Sequence, residues 1–191
     1  MSQKVLYSRI GPESTMDVIT KPIVPISTPP TDLEAIKKES DCLTFRAFTT
    51  TDAWNLGQLL HERLSPLAIG KGTPAVISIS LANSNQILFQ CVTGPGTSPD
   101  NQTWVDRKRN SVLRWGCSTW YLHCKYEGDE EKFRRKFGMS EEQSGRYAIH
   151  GGGVPIRVHG VEGIVAVVVV SGLKQWEDHG VIMEAVREGW E

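Results

Sequence analysis

The sequence predicts an α/β fold of the α+β kind, a sheet covered by amphipathic helices, and three stretches carry that expectation. Residues 164–170 form an almost wholly apolar run, far too short to span a bilayer and suited to a central strand buried on both faces. Residues 75–81 and 86–93 flank Asn83-Ser84-Asn85 as the arms of a hairpin, with Ile77, Ile79 and Leu81 on one face. Ala53, Leu56, Leu60, Leu64 and Leu67 recur at helical spacing and give a long helix one apolar stripe.

The other elements follow in chain order. Residues 1–30 read as an extension, a flexible or surface-draped arm. Its stretch from Lys21 to Pro30 is proline-rich and extended, with apolar residues suited to docking on a neighbouring subunit. The domain proper spans 31–191. A helix opens at Thr31-Asp32 and ends near Asp41, and residues 43–48 alternate as a strand. Thr49-Thr50-Thr51-Asp52 supplies capping oxygens to the long helix, which Gly70 and Gly72 stop. Ser98-Pro99-Asp100 starts a second long helix, with a cap, a first-turn proline and an acid at the positive helix end. It runs to about Trp115, with Trp104, Val112 and Trp115 inward. Residues 118–126 fit helix or strand, and 130–137 a short charged helix. A glycine turn at Gly151-Gly152-Gly153 then feeds a short strand. The apolar strand follows, and a terminal helix opens near Ser171-Gly172.

Bulk properties exclude several functions. A formal net charge of −1 over 191 residues gives no broad pull toward nucleic acid or an anionic membrane. The N-terminus has no apolar signal core, so the expected compartment is the cytosol. Cys42, Cys91, Cys117 and Cys124 form no CxxC pair and read as thiols. Cys117, His123 and Cys124 are close in sequence but suit small buried residues better than a metal site, and no metal is expected. No P-loop, Rossmann fingerprint, nucleophile elbow or HExxH is present.

Three residues stand out as candidates for proton transfer. Lys108 lies four residues from both Trp104 and Val112, on the apolar stripe of its helix. It either snorkels to water or presents an amine at a pocket rim. His179 shares a stripe with Met183, Val186 and Trp190. It is either a satisfied core histidine or an acid–base group near the helix start, titrating near neutrality. Asp178 points roughly 100° away from it. His150 precedes the glycine turn in a loop, free to face a cleft. Asn101, Trp104, Lys108, Gly151, Gly152, Gly153, Ser171 and Gly172 are the candidate ligand-binding residues. The glycines allow angles or close approaches that a side chain would block.

Several segments together resemble the haem-degrading-domain family, also called GlcG/HbpS-like, in its branch found in bacteria and fungi. They are Asp52-Ala53-Trp54-x-Leu56-Gly57-x-x-Leu60, Pro95-Gly96-Thr97 with Pro99-Asp100-Asn101, Trp104-Val105 with Arg107-Lys108-Arg109, His150-Gly151-Gly152 with Pro155-Ile156-x-Val158, and Ser171-Gly172-Leu173-x-Gln175-x-Glu177-Asp178-His179. The resemblance covers about residues 31–190. It implies a profilin-like sandwich, with a five-stranded antiparallel sheet and helices on both faces. It also implies a homo-oligomer, a dimer or larger ring, and binding of haem or a related tetrapyrrole. Three functions compete: a small-ligand-binding protein, an oligomeric scaffold for partners such as chaperone factors, and a cofactor-independent lyase, isomerase or hydrolase using His150, His179 or Lys108.

Overall fold

The structure is a computed structural model and describes residues 5–6, 23–41 and 43–191. Residues 1–4, 7–22 and Cys42 lie outside the described residues, and with them most of the expected arm and one of the four thiols. Strand β1 (Val5–Leu6) pairs in parallel with β2 (Thr44–Phe45). Between them lies α1 (Leu33–Ile36), which runs on as a wider π-turn over Lys37–Asp41. Then follow α2 (Thr50–Lys71), β3 (Val76–Leu81), β4 (Ile87–Val92), α3 (Pro99–Trp115), α4 (Thr119–Tyr126), α5 (Glu130–Lys136), α6 (Glu141–Ser144), β5 (Gly153–Ile156), β6 (Ala166–Ser171) and α7 (Gln175–Gly189).

The main sheet has four antiparallel strands in the order β4-β3-β6-β5. Helices cover both faces, but the expected fifth strand is not present as such among the described residues. The stretch at 43–48 contributes only Thr44–Phe45. Phe45 forms a lone parallel bridge to Val158, just past β5. Its amide donates to the Arg157 carbonyl, and the His159 amide donates to the Phe45 carbonyl. Phe45 itself is buried against Phe48 and Trp190, so its side chain belongs to the core rather than to an extended edge.

Strand periodicity sorts the core into layers. Ile77 and Ile79 sit opposite Val170 and Val168 and face α2 and α7, in one cluster with Leu56, Leu60, Leu64, Val181, Ile182 and Val186. Val76, Val167 and Val169 face the other way and pack against Val105 and Val112 of α3. Every residue of β6 is buried, as its apolar run requires. That strand also places Ser171 on the α3 side of the sheet, in register with Val76.

A third cluster joins α4 and α5 through Leu122, Tyr126, Phe133, Met139 and Ile149, with the Trp115 ring against Phe133, Phe137 and Tyr147. The ambiguous 118–126 segment is thus helical. Ser118 caps it by accepting from the Tyr121 amide, and Asp41 accepts from the Ser118 amide. Trp104 and Trp115, expected inward, are only partly buried, and Val105 takes the core position instead.

Residues 23–30 lie against their own chain. Ser27 donates from its amide and hydroxyl to Glu184 of α7, Arg63 donates to the Pro25 carbonyl and to Glu184, and the Trp120 indole donates to the Pro30 carbonyl.

Candidate functional site

The site forms where the end of β6 turns into α7, beside the first half of α3. Lys108 leaves the inner stripe of α3 and is 2% exposed. Its ammonium donates to Asp178 Oδ2 at 2.9 Å and to the Val170 carbonyl at 2.9 Å. Asp178, in the first turn of α7, accepts from the Leu173 amide at 3.0 Å through its other oxygen. Burial pushes the Asp178 carboxyl up, against the pull of the Lys108 ammonium and of the Leu173 and Gly172 amides. These amide bonds replace a helical start at Ser171-Gly172, so α7 begins only at Gln175.

Lys108 and Asp178 meet across Gly152, whose φ is +108°. A Cβ there would stand 2.8 Å from Lys108 Nζ, 2.7 Å from Asp178 Cβ and 2.4 Å from the Val170 carbonyl oxygen. Glycine at this position therefore serves both an angle and a clearance. Gly151 is held by clearance as well, since a Cβ there would stand 2.3 Å from the Gln175 carbonyl oxygen, while a Cβ at Gly153 would come no closer than 3.0 Å to Thr119. The Gly151 amide approaches Gln175 Oε1 at 3.4 Å, and the Gly153 amide donates to the Thr119 hydroxyl as β5 begins.

Above the ion pair opens a cleft of about 440 Å³. Of the residues singled out from sequence, Asn101, Trp104, Lys108, His150, Ser171 and Gly172 line it together. Leu173, Lys174, Gln175, Trp176 and Asp178 complete the lining. His150 stacks edge-on to Trp104, with ring centroids 5.0 Å apart. Its Nδ1 has no hydrogen-bond partner and lies 3.6 Å from Glu130. Burial lowers the pKa of His150, and Lys108 and Arg107 reinforce that against Glu130, so the neutral imidazole is favoured. Gln175 Nε2 contacts His123 at 3.3 Å, and burial with the nearby His150 also lowers the pKa of His123.

His179 is not part of this lining. It is fully buried beside the Trp120 ring, with neither ring nitrogen hydrogen-bonded. Burial, with smaller contributions from Lys108 and Arg187, pushes its pKa down to about 3. The expected titration of His179 near neutrality is therefore corrected: it costs too much to charge an imidazole in this core. Among the described residues no group of three or more His, Cys, Asp and Glu side chains is placed to hold a metal ion. A larger groove of about 860 Å³ runs between α1 and the end of α7, lined by Pro30, Leu43 and Trp190 among others, and none of the candidate residues reaches it.

Residues 48–187 match the family described as Haem degrading protein HbpS-like. The chain belongs to that family. A UPF0303 protein of Streptomyces avermitilis is 37% identical over 162 residues, covering 84% of this chain and 91% of the relative. The crystal structure of the yeast Ybr137w protein superposes with a TM-score of 0.71 at 34% identity, over 81% of this chain and 85% of that one. The crystal structure of the PduOC:haem complex aligns over 74% of this chain and 94% of its own, with a TM-score of 0.53 at 16% identity, a likeness of fold alone.

Sequence reasoning missed Asp178, Lys174, Gln175 and Trp176. In the sequence Asp178 reads as a first-turn acid suited to the helix dipole and as a neighbour of His179, whereas its partner Lys108 lies 70 residues away. The signal that could have found it is Lys108 itself: a lysine on an apolar stripe needs a buried anion, and Asp178 opens the one helix that follows the apolar strand.

Proposed function

We propose that this member of the HbpS-like family is a small-ligand-binding protein whose site is the cleft over Lys108 and Asp178. One observation carries the reading. A lysine buried to 2% exposure ends not in the core but at the floor of a cleft with indole and imidazole walls. A buried ion pair contributes little net stability, so its placement under an open cleft favours a binding role. The volume falls in the range of small-molecule sites.

Haem, named in the family description and bound in the PduOC complex, is a ligand this donor set fits. His150 offers a neutral imidazole at the cleft, the donor type that haem iron accepts, and Trp104 and Trp176 offer flat apolar walls. Bound haem would supply a redox-active iron. The protein's own part is to hold the macrocycle and exclude water from one face. Haemin added to the purified protein is expected to give a shifted Soret band, and His150→Ala to abolish the shift or weaken binding by about tenfold or more. A haemin spectrum identical with and without protein would sink the haem reading. A second reading, proton transfer by Lys108 and Asp178 on a substrate in the same cleft, is favoured by the burial of that pair.

A further inference from the structure

We infer that the cleft selects a planar, conjugated ligand bearing a carboxylate, whose oxygens are taken by Lys108 and Ser171. This rests on the reading of the cleft as a ligand site. An ammonium has three N–H donors. Two of those on Lys108 are occupied by Asp178 and the Val170 carbonyl, and the third has no acceptor among the described residues. The Ser171 hydroxyl, on the same face of the sheet and in the same lining, also makes no hydrogen bond among the described residues. Asp178 offers little in return, because both its oxygens already accept, one from Lys108 and one from the Leu173 amide. The floor is thus rich in donors.

Charge points the same way. Two cations, Lys108 and Lys174, line the cleft against one carboxylate, Asp178. Among the described residues, no carboxylate lies within ion-pair distance of the Lys174 ammonium, which rests over the Trp176 ring at 5.2 Å. One carboxylate on the ligand would balance the set. Trp176 is 38% exposed, and with Trp104 it lines the cleft with indole surface for a flat body, each ring already carrying a cation over it, Lys174 on Trp176 and Arg107 at 4.4 Å on Trp104. A small aromatic acid and the propionate edge of a tetrapyrrole share this chemistry.

The test compares acids with their uncharged counterparts by tryptophan fluorescence titration: benzoate against benzamide, and metal-free protoporphyrin IX against its dimethyl ester in one detergent. Omitting iron removes any contribution from His150 ligation. At least one acid should bind about tenfold or more tightly than its neutral counterpart. Ser171→Ala and Lys174→Gln, with melting curves confirming that both fold, should each weaken the acid several-fold and leave the neutral compound unchanged. Benzoate binding selectively while protoporphyrin does not would support this inference and assign the carboxylate to a small aromatic acid rather than to a propionate edge, with the haemin titration still deciding the haem reading. Protoporphyrin and its ester binding equally, with benzoate and benzamide also equal, would overturn this inference and leave the cleft a ligand site. No binding of either acid would overturn it too.

Discussion

Gly152 is the residue on which the site closes. Gly152→Val adds a strained positive φ, a clash with the Val170 carbonyl and an obstruction between Lys108 and Asp178. The strain alone is worth about 1–3 kcal/mol, and the total loss in urea denaturation is expected at or above the top of that range. Lys108→Met leaves Asp178 buried without its cation and should cost about 3–5 kcal/mol, whereas Lys108→Met with Asp178→Leu should regain most of it. His179 sets a pH dependence. As pH falls below about 6.5 the unfolded imidazole takes up a proton, while the folded one, with its pKa near 3, does not. Stability from this group is therefore full above about pH 6.5 and falls by up to about 1.4 kcal/mol per pH unit toward pH 3. The raised Asp178 carboxyl acts in the opposite sense, so the comparison is between wild type and His179→Leu. The wild type should lose more stability between pH 6.5 and 5, and parallel curves would exclude the effect. Lys108 was legible in the sequence because a charge on an apolar stripe is conspicuous. The fate of His179 was not, since a stripe position cannot say whether the ring finds a partner.

At the scale of elements, α7 is gripped from outside. Residues 23–30 cross it at Gly180, where a Cβ would stand 2.4 Å from the Ser27 carbonyl oxygen. Glu184, one turn on, accepts from Ser27 and Arg63. Those contacts, opposed by burial, hold its carboxyl below the ordinary range. Gly180→Ala raises helix propensity yet should release the strap, seen as faster proteolysis before Pro30 with little change in the melting of the core. Protection equal to wild type would show that the strap can shift aside. The strands and long helices were readable because each carries an unbroken period or a cap. The edges were not. The 43–48 stretch alternates like a strand, but only Thr44–Phe45 finds neighbours, in β1 and in a single bridge from Phe45 to Val158. Strand length at an edge depends on a partner far along the chain, which local pattern does not contain.

For the molecule as a whole, the unclosed side is β4. It forms one edge of the sheet and exposes Ile87 and Val92, and Trp54 of α2 stands 54% exposed against Phe89 of the same strand. An edge strand with apolar residues in water is an invitation to pair. We expect the protein to self-associate through this face, giving a light-scattering mass well above 21.2 kDa that Ile87→Lys with Val92→Lys brings down to the monomer. A monomeric wild type would refute it. Fold class and the neighbours of the cleft could be read from sequence because the family segments cluster around it, while oligomer size could not, being set by surfaces that no periodicity marks.

The sheet order also governs how the chain can be made. The strand at its heart, β6, lies at residues 166–171 of 191, between partners that emerge earlier. During synthesis the β3–β4 hairpin leaves the ribosome with its inner edge bare until almost the whole chain has followed, since Val76 waits for Ser171. The four-stranded sheet cannot close, and the strap at residues 23–30 cannot make its Ser27 contacts to Glu184 until α7 exists to receive them. The nascent protein therefore carries an open hairpin with a bare inner edge from the emergence of Val92 until that of Ser171, the interval in which it is most exposed to misassociation.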